Sequence, residues 1–244
     1  MKLKEGTMRR LLCRAKGRGA TLEPKKCYPK MRSLWRGAGI TAGALLIALA
    51  ASSVSADILN DWDSVKAPPK PELKEVTVDP STTALLIMDL MKQNCGARPR
   101  CVATIPNVKR LHDAARKAGV MVWYSLVGGA NAEPSGMIDQ SFAPKEGEWA
   151  RTNGPDKFMG TDLEAKLKAK GIKTAIICGT SFQGVGIGTG SGLAQRGYKV
   201  IVPIDCLSSE DVYNEQYAAW HMFKGGPAGV TMNSTLTRST MIKF

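Results

Sequence analysis

From residue 84 onward, the chain alternates short apolar runs with segments of helical periodicity. Four runs of consecutive apolar residues are typical of strands covered on both faces, at residues 84–88, 120–127, 174–178 and 199–204. Capping residues or helical spacing predict helices at 105–118, 161–170, 185–196 and from Ser209 onward. A last short strand is predicted at 230–232, before a C-terminal helix. This alternation predicts a three-layer α/β fold, in which helices cover both faces of a mostly parallel sheet.

Composition divides the chain into three parts. We predict an N-terminal extension with a signal peptide at residues 1–56, a Pro-rich extended arm at 57–80, and the α/β domain at 81–244. Within the domain, residues 128–157 show little periodicity and are rich in Gly, Pro and charge. Irregular segments of that length in a compact domain are usually functional.

The net charge of +13 is concentrated near the N-terminus. Residues 1–36 hold 12 of the 34 basic residues and two acidic residues, which leaves 22 basic and 19 acidic residues in 37–244. That remainder has a net charge of +3, so the high isoelectric point does not indicate nucleic-acid binding. We expect no nucleic-acid partner.

An export signal accounts for the basic excess. Arg32 and Arg36 precede an apolar run at 40–51, and the small residues Val-Ser-Ala at 54–56 form a cleavage site. The run is too short for a comfortable bilayer span, although an uncleaved anchor is the alternative. The sequence therefore predicts a periplasmic or secreted protein without a stable membrane anchor after cleavage.

The cysteine positions agree with export in part. Cys95 and Cys101 flank a short polar loop and would pair in an oxidising compartment, while two free thiols remain the alternative. Cys178 and Cys206 each end an apolar strand. That position favours buried small hydrophobic side chains over nucleophiles.

Asp89 is the first candidate for chemistry. It directly follows five apolar residues, at the predicted carboxyl edge of the sheet, where ligands bind in open parallel sheets. Partial burial there would shift its pKa and suit it to general acid or base catalysis. The alternative is an Asp that caps the following turn.

Other chemistries are poorly supported. The glycines at 184–192 lack the offsets of two and five that a dinucleotide-binding loop requires, so we interpret them as positions of close helix packing. The sequence contains neither a Gly-Lys-Ser/Thr phosphate loop nor a G-x-S-x-G motif. No carboxylate pair at metal-ligand spacing accompanies the two histidines, His112 and His221. We therefore predict no metal and no cofactor.

Four motifs together resemble the isochorismatase-like hydrolase superfamily, which includes nicotinamidases, carbamoyl-amide hydrolases and isochorismatases. They are ALLIMDLMKQ, DKFMGTDLEAKLKAKGIKTAIICGT, GTSFQGVGIGT and RGYKVIVPIDCLS. The resemblance covers about residues 82–209. It implies a six-stranded parallel sheet of Rossmann-like topology with helices on both faces. It also implies a homo-oligomer, since members are often dimers or tetramers.

The amidases of this superfamily use Asp, Lys and Cys. The resemblance places the Asp at Asp89 and the Cys at Val185, so the nucleophile would be missing. The register of the Lys falls on Thr152, beside Arg151, and Lys157 lies nearby out of register.

The resemblance also locates the remainder of the site. It implies a cis peptide bond between Thr180 and Ser181, just after the glycine that ends the third predicted strand. The substrate-binding positions that it implies are Thr152, Thr180, Ser181, Gly184 and Val185.

Without a thiolate, the thioester route for amide hydrolysis is closed. Isochorismatases also lack the Cys and protonate a vinyl ether with the Asp, so that water attacks. We therefore expect an exported hydrolase of a small molecule, in which Asp89 acts as general acid–base and Arg151 or Lys157 supplies positive charge. The alternative is a catalytically inactive family member that binds a small ligand or a protein partner.

The export hypothesis predicts the N-terminus of the mature protein. Signal peptidase should cleave after Ala56, so intact-mass measurement of protein from an exporting host should show Asp57 as the first residue. Substituting Ala56→Phe should block cleavage, because the peptidase requires a small residue there. An uncleaved N-terminus on wild-type protein in the cytoplasmic fraction would contradict the hypothesis.

Overall fold

The computed structural model describes residues 56–244. The described residues include a short helix α1, Ile58–Asp61, and a second unit, Asp61–Phe244, that is compact. Apart from Ala56, the predicted signal peptide lies outside the described residues. No helix among the described residues is long and apolar enough to span a membrane.

The second unit contains the four long strands and the four helices that the apolar pattern predicts, together with short strands and helices that it does not. In chain order they are β1 Val76–Thr77, β2 Thr83–Met88, α2 Lys92–Cys95, α3 Pro99–Lys117, β3 Met121–Leu126, β4 Trp149–Arg151, α4 Leu163–Ala169, β5 Thr174–Thr180, α5 Ile187–Gln195, β6 Lys199–Pro203, β7 Leu207–Ser208, α6 Val212–Trp220, α7 Ala228–Thr231, β8 Ser234–Thr237 and β9 Ile242–Lys243.

The main sheet has the strand order β4-β3-β2-β5-β6-β8, and the short β7 pairs with β5 as a seventh strand. Every pairing in the described sheet is parallel. The six-stranded path with helices on both faces confirms the expected α/β fold, and β7 is an addition to it. β1 and β9 form a separate two-stranded parallel ribbon.

The register of β2 determines where the candidate site lies. β2 is central, and its last residue, Met88, lies opposite Ser125 of β3 and Gly179 of β5. Gly179 has a φ of +138°, and a β-carbon there would lie 2.1 Å from the carbonyl oxygen of Met88. Only glycine therefore allows β5 to approach the end of β2 this closely. Asp89, the next residue, thus lies between the carboxyl ends of two neighbouring strands.

Side chains alternate between two hydrophobic clusters, one on each face of the sheet. Leu85 and Ile87 pack on the first face with residues of α3, including Val108, Leu111 and Ala115. Leu86 and Met88 pack on the other face with residues of α4 and α5, including Leu163, Leu167 and Leu193. These two layers cover β2 on both sides, and all of its side chains are buried.

The C-terminal predictions were wrong. Residues 228–231 form helix α7, in which Val230 is buried, and the last strand of the main sheet is β8 at 234–237. The expected C-terminal helix is absent from the described chain, which ends in the short strand β9. In β8, β-branched Thr residues pair with β6. Pairing with the edge of β6, rather than local apolar content, therefore determines which segment forms the last strand.

Two further boundaries differ from the prediction. Helix α3 begins at Pro99, six residues before the predicted 105, which agrees with the preference of proline for the first turn of a helix. The arm at 57–80 is extended only in part: it contains α1 and a 3₁₀ turn, Trp62–Ser64, and its strand β1 pairs with β9.

A disulfide bond joins Cys95 of α2 to Cys101 of α3, which confirms the predicted pairing. The Cα atoms of the two residues lie 5.4 Å apart, and both side chains are buried. A loop of this size contributes about 2 kcal/mol by restricting the unfolded chain. Cys178 and Cys206 are free and buried.

The disulfide predicts the thiol count of the mature protein. Denatured, unreduced protein that begins at Asp57 should react at two thiols, those of Cys178 and Cys206, because Cys95 and Cys101 are bonded. Reduction before labelling should raise the count to four. Four reactive thiols without reduction would contradict the bond. The matched control, Cys101→Ser, should expose one additional thiol, at Cys95.

Candidate active site

Asp89 has an unusual backbone conformation at the carboxyl end of β2. Its φ is +60°, in the left-handed region that Asp adopts more readily than most residues. Its amide N–H donates to the carbonyl of Ser125 at 3.0 Å, and the Asn94 side-chain amide donates to its carbonyl at 3.0 Å. These two hydrogen bonds hold the backbone in the conformation that turns the carboxylate toward the site.

Each oxygen of the Asp89 carboxylate has its own partner. The Ser125 hydroxyl donates to Oδ1 at 2.6 Å, and the Lys157 ammonium donates to Oδ2 at 2.8 Å. Asp89 is 3% exposed and Lys157 is 0% exposed. The two charges therefore form a buried ion pair, in which direct hydrogen bonds compensate for the loss of water.

Two further hydrogen bonds position Lys157. Its ammonium also donates to the Gly154 carbonyl at 2.9 Å, and its amide donates to the Thr189 hydroxyl of α5 at 3.1 Å. The start of α5 fits closely against this segment, because a β-carbon at Gly188 would lie 2.7 Å from the Pro155 carbonyl oxygen. The glycines of 184–192 thus include a close-packing position that brings Lys157 into the site.

Burial raises the pKa of the Asp89 carboxyl above its ordinary value, while Lys157 and Ser125 act in the opposite direction. Desolvation disfavours the charged form, and the ammonium and hydroxyl favour it. A carboxyl whose pKa is raised in this way holds a proton at higher pH than an exposed Asp does. The arrangement therefore suits proton donation as well as proton acceptance.

The structure brings Lys157, and not Arg151, into contact with Asp89. Arg151 ends β4, its Nε donates to the Ala132 carbonyl at 2.7 Å, and its guanidinium forms an ion pair with Glu133. It also lies over the Trp149 ring, 4.9 Å from the centroid. Lys157 therefore supplies the positive charge next to Asp89, although the resemblance placed the Lys at Thr152, beside Arg151.

The positions implied for substrate binding lie along the carboxyl edge of the sheet. Thr180 is buried, and its hydroxyl donates to the Ser208 carbonyl at 3.2 Å. The peptide bond from Thr180 to Ser181 is cis, as the resemblance implies. Gly184 and Val185 belong to a π-helical turn, Phe182–Gly186, that leads into α5.

The other two positions implied for substrate binding are Val185 and Thr152, and each has a different environment. Val185 is 7% exposed and shares a hydrophobic cluster with Met88 and Phe158, which are adjacent in sequence to Asp89 and Lys157. Thr152 follows β4, and its amide donates to the Leu126 carbonyl at 3.1 Å. Val185 thus lies in the same hydrophobic cluster as the sequence neighbours of the ion pair.

Both free thiols, those of Cys178 and Cys206, are buried. Burial, with a contribution from Cys206, raises the pKa of the Cys178 thiol well above its ordinary value. Both free cysteines are fully buried, and a buried thiol in apolar surroundings is inert. Within residues 56–244, no group of three or more His, Cys, Asp or Glu side chains could hold a metal ion.

Ser125 was missed in the sequence. It lies within the apolar strand β3, where a single small polar residue gives little signal of chemistry. One clue was present: Ser125 is the polar residue near the end of the strand that neighbours β2. Because adjacent parallel strands end at the same edge, a buried hydroxyl at that place is a natural partner for Asp89.

The fold and the Asp–Lys site agree with a family of known proteins. The family model described as an isochorismatase domain matches residues 83–235, which is more than half of the chain. The chain therefore belongs to the isochorismatase family. The matched range contains Asp89, Ser125, Lys157 and Val185.

Two relatives and one solved structure illustrate the similarity. N-carbamoylsarcosine amidase of an Arthrobacter species is 28% identical over 134 residues, which are 45% of this chain and 51% of that protein. The isochorismatase family protein YwoC of Bacillus subtilis is 29% identical over 161 residues, 56% of this chain and 83% of that protein. The crystal structure of a cysteine hydrolase from Pseudomonas syringae superposes with a TM-score of 0.58 at 19% identity and covers 70% of this chain and 95% of that one. This last likeness is one of fold.

The Ser125 hydroxyl should lower the pKa of Asp89. In Ser125→Ala the pKa of Asp89 should rise further, because the variant loses a hydrogen bond that stabilises the charged carboxylate, and such a bond is worth about 1.5–3 kcal/mol. Carbon-13 NMR titration of the Asp carboxyl groups measures this change. The matched control is Ser191→Ala, since the buried hydroxyl of Ser191 has no partner among the described residues.

The same substitution should change how stability depends on pH. A carboxyl with a raised folded-state pKa stabilises the fold fully below the unfolded value of about 3.9, and this contribution is lost as pH rises through the folded pKa. In Ser125→Ala the folded-state pKa of Asp89 is higher, so the free energy of unfolding, measured with urea, should continue to fall up to a higher pH than in the wild type. An Asp89 pKa and a pH profile unchanged from those of Ser191→Ala would contradict the role of the hydroxyl.

Proposed function

We propose that this protein hydrolyses a small molecule by general acid–base catalysis at Asp89. The observation that carries the proposal is the buried contact between Asp89 and Lys157 at the carboxyl edge of an isochorismatase-family sheet. Ligands bind at this edge in open parallel sheets, and carboxyl groups with a perturbed pKa cluster at functional sites. The family and the geometry therefore support the same location.

The proposed step is a proton transfer followed by addition of water. Protonated Asp89 donates its proton to the substrate, and the carboxylate that forms is stabilised by the ammonium of Lys157. Water adds to the electron-deficient carbon, the bond to the leaving group breaks, and a proton from the water returns to Asp89. Ser125, which binds the other carboxylate oxygen, keeps Oδ2 directed toward Lys157.

We propose that the reaction proceeds without a cysteine nucleophile. Val185 occupies the position at which the resemblance places the thiol, and its side chain is packed in a hydrophobic cluster. Cys178 and Cys206 are buried and lie in or after strands of the sheet. A direct attack by water, as in the vinyl-ether chemistry of isochorismatases, needs no thioester intermediate.

The relatives suggest which substrates to try. N-carbamoylsarcosine amidase acts on a carbamoyl amide, as its name states, and shares 28% identity with part of this chain. This relative supports carbamoyl amides as one class of candidate substrate. Because the proposed step needs no thiol, we propose vinyl ethers related to isochorismate as the first class and carbamoyl amides as the second.

We also propose that the protein works outside the cytoplasm. The disulfide between Cys95 and Cys101 supports this location, since such bonds persist mainly in oxidising compartments. The apolar run at 40–51 and the small residues at 54–56 supply the export signal. The proposal places the mature enzyme in the periplasm or the medium.

Turnover should depend on Asp89 and not on a thiol. Against a panel of vinyl ethers, carbamoyl amides and ureas, Asp89→Asn should lower kcat at least about 100-fold, since general acid–base catalysis contributes that much. Alkylation of the native protein with iodoacetamide should leave kcat unchanged. The matched control is Asp113→Asn, a carboxylate exposed on α3 that pairs with Lys109.

Two results would contradict the proposal. Loss of activity on alkylation would show that a cysteine takes part in the reaction. Absence of Asp89-dependent turnover across the whole panel would favour the alternative of a family member that binds a small ligand without reaction. A variant that fails to fold does not test the mechanism, so the circular dichroism spectrum of Asp89→Asn should first be shown to be native. If it is not native, Asp89→Glu serves as the second variant.

A further inference from the structure

A cavity opens at the carboxyl edge of the sheet, between helix α6 and the segments that follow β5, β6 and β8. Its volume is about 490 Å³, and its walls include Phe182, Trp220 and Phe223. One side is closed by the Pro-rich segment 68–73, so the cavity lies between this part of the arm and α6. Its size is that of pockets that hold small organic ligands.

The segment 68–73 is held in place at its C-terminal end. The amide of Lys74 donates to the Leu236 carbonyl at 3.1 Å, and the Thr237 hydroxyl donates to the Lys74 carbonyl at 2.6 Å. Three of the six residues of the segment are proline, which restricts its backbone. The wall formed by the arm is therefore preorganised rather than formed on binding.

The charges around the cavity are unbalanced. Arg238 and Lys70 line it, both are exposed, and no side chain among the described residues pairs with either. The one acidic lining residue, Glu215, is already neutralised by Arg100. The cavity thus presents aromatic walls together with two uncompensated positive charges. Its charge is complementary to an anion, and its walls are complementary to a ring.

We propose that this cavity binds a small molecule with an apolar ring system and one anionic group, such as an aromatic carboxylate or sulfonate. The apolar body would lie against Phe182, Trp220 and Phe223, and the anionic group would lie at Arg238. Arginine recognises carboxylates and sulfonates through two parallel hydrogen bonds.

This site goes beyond the proposed hydrolysis and does not rest on it. Asp89 and Lys157 are absent from the cavity lining. The turn Phe182–Gly186 contributes Phe182 to the cavity, and its Val185 shares a hydrophobic cluster with Met88, the residue before Asp89. A ligand in the cavity would contact that turn without touching Asp89.

A pair of fluorescent probes tests the proposal. The anion 1-anilinonaphthalene-8-sulfonate and the uncharged N-phenyl-1-naphthylamine share the same rings and differ in the sulfonate. We expect Arg238→Gln to weaken the affinity for the sulfonate about tenfold and to change that for the uncharged probe less than twofold. Fluorescence titration of the folded mature protein measures both dissociation constants.

Two control variants locate the site. Arg98→Gln removes the same charge outside the cavity and should leave both affinities unchanged. Ala219→Phe fills the cavity and should weaken both probes, provided that its thermal unfolding is cooperative; Phe223→Ala is the second variant if it is not. Equal affinity of the sulfonate for wild type and Arg238→Gln would overturn the proposal. If Asp89→Asn weakened sulfonate binding as much as Arg238→Gln does, the claim that the cavity is separate from the Asp89 site would be wrong.

Discussion

The buried ion pair between Asp89 and Lys157 constrains the rest of the structure. Its members are 68 residues apart in the chain, and both are almost completely removed from water. Leaving either charge without its partner would cost about 3–5 kcal/mol. The end of β2, the segment at 154–157 and the start of α5 must therefore keep fixed positions relative to one another. Two glycines allow the close approaches that this requires: Gly179 lets β5 approach the end of β2, and Gly188 lets the start of α5 approach the segment at 154–157.

The four central strands of the sheet, β2, β3, β5 and β6, and one member of the ion pair were predictable from the sequence for the same reason. Strands buried on both faces leave a continuous apolar run, and a carboxylate directly after such a run can be recognised. Lys157 was named as a candidate, but the register that the resemblance implies for the Lys pointed to Thr152 instead. Its position depends on the path of an irregular segment with three 3₁₀ turns, at 129–131, 134–136 and 140–142, and that path leaves no periodic pattern in the sequence.

Errors at the C-terminus have a different physical origin. Val230 and Met232 are apolar and suggested a strand, yet local preference for a strand is weak and depends on its neighbours. The hydrogen-bonding edge of β6 is occupied instead by 234–237, where Leu236 is buried and the flanking Thr and Ser residues are polar. Pairing along an existing strand decided the outcome, and a single sequence does not show which segment reaches that edge.

The adjacency of Asn94 and Cys95 has a consequence for how the molecule opens. Asn94 binds the backbone carbonyl of Asp89, and the next residue is covalently joined to Cys101 in the first turns of α3. The loop after β2 therefore cannot unfold as a small independent unit; it must detach together with the start of that helix, at a higher free energy. Amide hydrogens in these two stretches should exchange with solvent at similar, slow rates.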